Sequence, residues 1–489
     1  MADSPINQSL WDITLPAVRA SWAAGREYVA PGNKYVPRIS RPLYTENEFG
    51  WPSTTKTDVG SDVDRTHIDW GEMFGPAGQQ FTYVAIEDVA ELQSAIDEVI
   101  EAARRDSNFG SCMNPFNHSD DVEWCENHLR FDYRKKIVGA IISRAEATGV
   151  TSDADLLTIF RELERARFDT ELNGDLVVPV ILTDFGSVDR FEIGSGIHVE
   201  RISEDLQCAR APHALYSREI NPYLIAAATH AIVVENITID NSTYGRRLLG
   251  RISGGSAVNP TEMAKVDRAI EAIHILTGVT TGYAQVFVRP DGWADDWTAD
   301  LPPVFTDRTV SNYPTSHDFQ PEWRRAKEPL DADFVAEMAQ AYPTLTAAPK
   351  HIGLASRRAI RAMMRTDDQD RTVDAMIGVE ALLLDNQPEL KFRMALRAAA
   401  ALCEEYDPAT IAGLAKNVYD HRSEIAHGGA VKKATFTFNG ETWRSADIAA
   451  FLLRALLRNY LLSPAPWTKD QLDERVFAAL AAYSLPTDV

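Results

Sequence analysis

The segment YDHRSEIAHGG, from Tyr419 to Gly429, gathers an arginine, two histidines, a serine and two carboxylates ahead of a Gly-Gly pair. Arg422 and His427 are the residue types that RNA cleavage by a neighbouring 2′-hydroxyl requires. A base must take the hydroxyl proton, and a cation must neutralise the charge that grows on the phosphoryl oxygens. Histidine titrates near neutrality and a guanidinium forks onto two phosphate oxygens, so this chemistry needs no metal. The plainer alternative is a histidine that complements the dipole at a helix end.

The elements that must hold these groups follow from apolar periodicity. A helix is expected over 409–426, where Ile411, Leu414, Val418 and Ile425 share one stripe, with Gly428-Gly429 as the stop signal. Arg422 falls inside that stripe, whereas a merely solvated arginine would lie opposite it. A second helix over 369–384 repeats the anomaly: Val373, Met376, Ile377 and Leu384 define an apolar face, and Glu380 falls within it. An unpaired charge on such a face costs on the order of several kcal/mol, so the two groups are expected to meet. In the last turn His427 is expected to point off the helix end. His421 borders the apolar face and reads as a core or interface histidine, Tyr419 as a packed ring able to stack on a base, and Asp420 and Glu424 as a solvated face. Arg357, Arg361 and Arg365 recur every four residues on a helix over 352–365, a spacing that tracks RNA phosphates or forms a solvated basic face.

The chain has 489 residues, 45% of them hydrophobic, which places it among folded proteins with several cores. The expected class is multidomain α+β: mixed α/β N-terminal and middle regions, then a C-terminal all-α bundle. Domains are placed at 1–170, 171–325 and 326–489. The first 80 residues, rich in Trp, Pro, Gly and Thr, read as loops and short strands. Helices are expected at 87–105, 131–147 and 154–167, and β-branched runs at 175–185, 191–202, 230–239 and 282–290 read as strands. NPTEMAKVDRAIEAIHILTG reads as a helix with Asn259 as cap, Pro260 in the first turn and Gly278 as stop. The stretch 293–323 is taken as a linker or surface loop. Beyond 330 helices are expected at 332–341, 352–365, 369–384, 390–405, 409–426 and 445–462, joined by short connections as in an antiparallel bundle.

The net charge of −22 argues against broad, nonspecific nucleic-acid binding. It is unevenly spread: residues 350–461 carry 16 Lys and Arg against 14 Asp and Glu, a balance of +2, which leaves −24 elsewhere, so a polyanion would prefer the C-terminal part. No stretch is apolar for long enough to cross a bilayer, the N-terminus does not read as a signal peptide, and four cysteines cannot make a disulfide scaffold; a cytoplasmic protein without membrane contact is expected. Cys112, His118, Cys125 and His128 are ligand types for tetrahedral zinc, but their spacings depart from paired knuckles, so unbridged cysteines and surface histidines are expected ahead of zinc. GxSxG, HExxH, Walker and GxGxxG patterns are absent, and no cofactor is expected.

RSEIAHG, preceded by VYD and standing about 40 residues after GVEALLL, resembles the HEPN superfamily and within it the Apea-like HEPN domains of bacterial proteins. That resemblance covers about residues 330–465. It implies a helical bundle whose signature is an arginine, a short spacer and a histidine, here Arg422 and His427, with Glu380 at the acidic position of the earlier helix. It further implies a metal-independent endoribonuclease, often dimeric, often serving antiviral defence or toxin systems. Many active members place Asn, Asp or His directly after the arginine, whereas this chain has Ser423. The reading is therefore an RNase with His427 as general acid/base, Arg422 on the scissile phosphate, Glu380 orienting Arg422 and Ser423 supporting the geometry. RNA would be the substrate, a homodimer or higher homo-oligomer the assembly, and the preceding regions a sensor for a trigger such as a phage product. The alternative is a non-catalytic HEPN module that mediates assembly or RNA binding.

Overall fold

A computed structural model describes residues 4–30, 32, 35–53, 63–114, 121–215, 220–242, 256–319, 321–331, 333–385, 389–427, 435–438 and 440–482. The chain is mixed α+β, with many helices and a six-stranded antiparallel sheet whose strands run in the order 305–312, 283–290, 171–179, 230–240, 197–201 and 190–194. All four β-branched runs read from the sequence supply strands of this sheet. Its centre is dry: Val177 pairs with Val233 on one side and Phe287 on the other, and all three are fully buried. Strands covered on both faces read as continuous apolar runs, which is why they were visible. Among the described residues no helix is long and apolar enough to cross a membrane.

The chain divides into two compact units, one of residues 1–179, 202–263 and 285–310, the other of 180–201, 264–284 and 311–489. In the first unit the core is built on helices Gln8–Val29, Ala90–Arg105, Val122–Tyr133 and Asp153–Phe168, with Trp22, Trp70, Phe74, Leu92, Ile96 and Phe160 buried among them. The 22-residue helix Gln8–Val29 replaces the loops and short strands expected at the start of the chain. Its buried face includes Thr14, Ala17, Ser21 and Gly25, small or polar residues that give no apolar period, and Pro16 sits inside it. Between 293 and 323 the expected linker is instead part of the folded body. Trp293 and Leu301 are fully buried and Phe305–Asn312 is a strand, because the indole Nε1 of Trp293 donates to the Asn173 carbonyl at 2.7 Å and packs on Phe305.

In the second unit, helices Phe334–Thr346, Lys350–Met364, Asp368–Leu383, Leu390–Leu402, Pro408–Ala426, Ser445–Leu462 and Lys469–Ala482 pack as a bundle, with a hairpin of Thr435–Phe438 and Glu441–Arg444 on its flank. Helix starts are chemically marked. Asp367 accepts from the Gln369 and Asp370 amides at 2.9 Å, and Asp407 from Thr410 at 2.8 Å, with Pro408 next. Ser445–Leu462 is the central helix, packed on five others, and Asp368–Leu383 packs on four. Met376, Val379, Leu382 and Leu383 on it, Leu414 and Val418 on Pro408–Ala426, and Leu452, Leu453, Leu456 and Leu457 on Ser445–Leu462 are all buried. Each such side chain contributes about 1.5–3 kcal/mol. A methyl at Gly378 would lie 2.6 Å from Leu453 Cδ2, so the glycine of GVEALL lets two helices approach closely. The helix Pro260–Thr277 also forms as read, with Asn259 accepting from the Thr261 amide at 2.9 Å and Gly278 at φ +74°.

Candidate functional site: a half-satisfied arginine on a bundle helix

The Pro408–Ala426 helix ends at His427, whose amide donates to the Ser423 carbonyl at 3.1 Å and whose side chain is exposed. The two following glycines, Gly428 and Gly429, lie outside the described residues. On the buried side stand Ile411, Leu414, Ala415, Val418 and His421. Arg422 is half-buried beside them, and its Nη2 stands 3.5 Å from Glu380 Oε2. At that distance the pair is an ionic contact at the edge of hydrogen bonding. Arg422 Nε is buried and has no hydrogen-bond partner among the described residues.

Glu380 lies at the border of its helix's buried face, not within it. The buried residues are Thr372, Asp374, Ala375, Met376, Gly378, Val379, Leu382 and Leu383, an arc whose centre lies about 140° from that of Val373, Met376, Ile377 and Leu384. A helix surrounded by four others is buried over a wide arc, so a few apolar residues do not fix its centre. Burial raises the Glu380 carboxyl above its ordinary value, and the Arg422 guanidinium opposes that rise. Ser423 is half-buried next to Arg422.

The neighbouring residues sort themselves by environment. His421 is 7% exposed, neither ring nitrogen has a partner among the described residues, and burial pushes its pKa down against the pull of Glu424. It belongs to the core. Asp420 is exposed and takes Lys391 at 2.5 Å. Arg357 and Arg361 are exposed on the Lys350–Met364 helix, but Arg365 caps that helix in extended conformation and is held by Asp374 at 3.1 Å and Asp370 at 3.6 Å. The three arginines therefore do not continue as one helical row.

Of the four possible zinc ligands, His118 lies outside the described residues. Burial raises the Cys112 thiol, which works against the thiolate a metal needs, and the His128 ring stacks on Trp124 with centroids 5.3 Å apart. One surface feature had not been singled out in the sequence. An open groove of about 860 Å³ is lined by Glu389, Leu390, Lys391, Phe392, Lys416 and Tyr419, at the junction of the Leu390–Leu402 and Pro408–Ala426 helices. Its signal was available in ELKFRM, an aromatic between cations at a helix start. Comparison with known proteins returns no match, whether to a protein-family model, a curated protein or a solved structure.

Proposed function

We propose that the C-terminal bundle is a metal-independent endoribonuclease of HEPN type. The observation that carries this reading is Arg422: a half-buried guanidinium, held by one long contact to Glu380, with a buried Nε left over. Such a group retains donors for an incoming phosphate. His427 is exposed at the end of the same helix, in the sequence order that the resemblance to Apea-like HEPN domains requires.

In this reading His427 accepts the proton of the 2′-hydroxyl as its oxygen attacks the adjacent phosphorus. Arg422 neutralises the charge gathering on the non-bridging oxygens, and the bond from phosphorus to the 5′-oxygen breaks. The leaving oxygen takes a proton, so the products are a 2′,3′-cyclic phosphate and a 5′-hydroxyl. Glu380 orients the guanidinium and Ser423 supports its geometry. Two chains of a homodimer would each bring this pair, and the preceding regions would respond to a trigger such as a phage product in antiviral defence.

The test is cleavage of unstructured RNA by the purified full chain and its His427→Ala variant, with end-group analysis of the products. Cyclic-phosphate ends that persist in EDTA and fall at least about 100-fold in the variant support the assignment. Undiminished cleavage by the variant, or loss of cleavage in EDTA, sinks it. A second reading, an assembly or RNA-binding module without catalysis, is favoured by the exposed Phe477 and Leu480 on the Lys469–Ala482 helix, apolar groups suited to covering by another chain.

A further inference from the structure

The groove beside the motif helix combines three features that are individually ordinary. Its floor is aromatic: Phe392 is 53% exposed and Tyr419 half-buried. Lys416 lies over the Phe392 ring, and the remaining half of its apolar surface is uncovered. Its walls are cationic in a protein of net charge −22: Lys416 Nζ stands 5.2 Å from the Phe392 ring centroid, and Lys391 lines the same groove. Two carboxylates temper this charge, Glu389 in the lining and Asp420 on Lys391. Finally, the Leu390–Leu402 helix begins here, and the Glu389 side chain makes no cap hydrogen bond to it. The positive end of its dipole is therefore not capped by that side chain.

The groove and the motif residues lie on one side of one helix. Counting about 100° per residue, Arg422, Tyr419, Ser423, Lys416 and His427 fall within an arc of about 140° of the Pro408–Ala426 helix. Tyr419 lies about 4.5 Å and Lys416 about 9 Å along the axis from Arg422, a separation that one or two nucleotides span. A flat aromatic surface flanked by ammonium groups is how proteins hold an unpaired base and its phosphate, since every base has a π-face and stacking is tolerant of sequence. A paired base cannot offer its face to Phe392, so duplex RNA is excluded by geometry.

We infer that the groove of Phe392, Tyr419, Lys416 and Lys391 is a nucleotide subsite: it stacks an unpaired base of single-stranded RNA one or two positions from the phosphate held at Arg422. This rests on the ribonuclease reading for the role of Arg422, but the groove's binding is separable from cleavage. Phe392 and Tyr419 carry the base, while Lys416 and Lys391 meet the flanking phosphates.

The experiment is fluorescence anisotropy of the full chain with a fluorescein-labelled, fully 2′-O-methylated 12-nucleotide single strand, which cannot be cleaved, and with its blunt duplex. Wild type is compared with Phe392→Ala, Tyr419→Ala and Lys416→Gln, each checked by thermal melting. Phe392→Leu serves as a second variant that keeps the apolar volume but not the ring. The expected result is single-strand binding that weakens about fivefold or more in Phe392→Ala and Tyr419→Ala, and comparably in Phe392→Leu, with weaker binding of the duplex. Unchanged affinity in the folded variants overturns the subsite and leaves the nuclease reading standing. Equal binding of the duplex, or no binding by wild type, also overturns it. Weakened binding in the groove variants together with no cleavage of ordinary RNA keeps the subsite and removes the nuclease. A change of oligomeric state in Phe392→Ala by sedimentation, with RNA affinity intact, identifies the groove as a protein interface and overturns the proposal.

Discussion

Two arginines of the same bundle are set in opposite ways. Arg397 is 1% exposed and its guanidinium is answered on every side: Nε and Nη2 each reach Asp473 at 2.7 Å, and Nη1 reaches Asp385 at 3.0 Å and the Leu383 carbonyl at 2.5 Å. Those partners come from the end of one helix and from the Lys469–Ala482 helix, so the arginine fastens the last helix to the bundle. Arg422 is less buried yet poorly answered, with the 3.5 Å contact to Glu380 and a spare Nε. Burial of charge is common to both. The donors of Arg397 are spent on the fold, whereas Arg422 keeps one that no described group takes.

The histidines repeat the contrast. His274 is 6% exposed, with Nδ1 3.0 Å from the Val279 carbonyl, and burial pushes its pKa down to about 4. His427 is exposed at a helix end.

Breaking each member of these pairs should move different observables. The largest effect expected is on cleavage: Arg422→Ala loses about 10²–10³-fold in rate, as removal of a preorganised charge-stabilising donor does, while its unfolding free energy changes by less than about 1 kcal/mol. Steady-state cleavage and urea denaturation of the same preparation check both. Arg397→Ala does the reverse. It removes the cation that bridges Asp385 and Asp473 and costs about 3 kcal/mol, the low end for a broken buried pair because both carboxylates keep about a third of their surface and Asp385 retains Lys469 at 3.3 Å. Its cleavage rate per folded molecule should be unchanged, and an equal loss there would erase the contrast.

A smaller effect separates the histidines by pH. His274 is neutral in the folded chain and titrates near 6.5 when unfolded, so the unfolded state binds more protons as pH falls. Its contribution is fully present above about pH 6.5 and is lost as pH falls towards the folded value of about 4; between pH 7.5 and 5 it should remove about 2 kcal/mol. His274→Gln should flatten that slope in denaturant titrations at several pH values. The smallest effect is Ser423→Ala, expected to lower cleavage about two- to fivefold, a positioning change worth under about 1 kcal/mol. A loss as large as that of Arg422→Ala would mean that Ser423 touches the reacting atoms.

Much of the bundle was legible because its helices announce themselves locally. Apolar residues recur at helical spacing, whereas the caps Asp367 and Asp407 emerged only with the structure. Arg422 and Glu380 were visible as charges misplaced among apolar residues, although the exact face around Glu380 was not. The Gln8–Val29 helix was hidden because its buried side uses Thr14, Ser21 and Gly25, and the strand Phe305–Asn312 because Thr306 and Asp307 are buried polar residues that read as surface. The buried Asp307 carboxylate accepts from the Ala257 amide at 2.6 Å, a donor 50 residues away along the chain. No local pattern encodes such a partner.

The sequence by itself determined most of the bundle helices, though not Lys469–Ala482, and drew attention to Arg422 and Glu380 as charges near apolar faces. Periodicity and capping arise from backbone geometry within a few residues, so they can be read in place. Tertiary structure decided which arginine is saturated, which histidine is dry and which aromatic stays uncovered beside the motif. Those outcomes depend on side chains delivered from far along the chain: Asp473 stands 76 residues from Arg397, and Glu380 stands 42 from Arg422. Whether a buried charge is fully answered or left with donors to spare is set only when such distant groups meet.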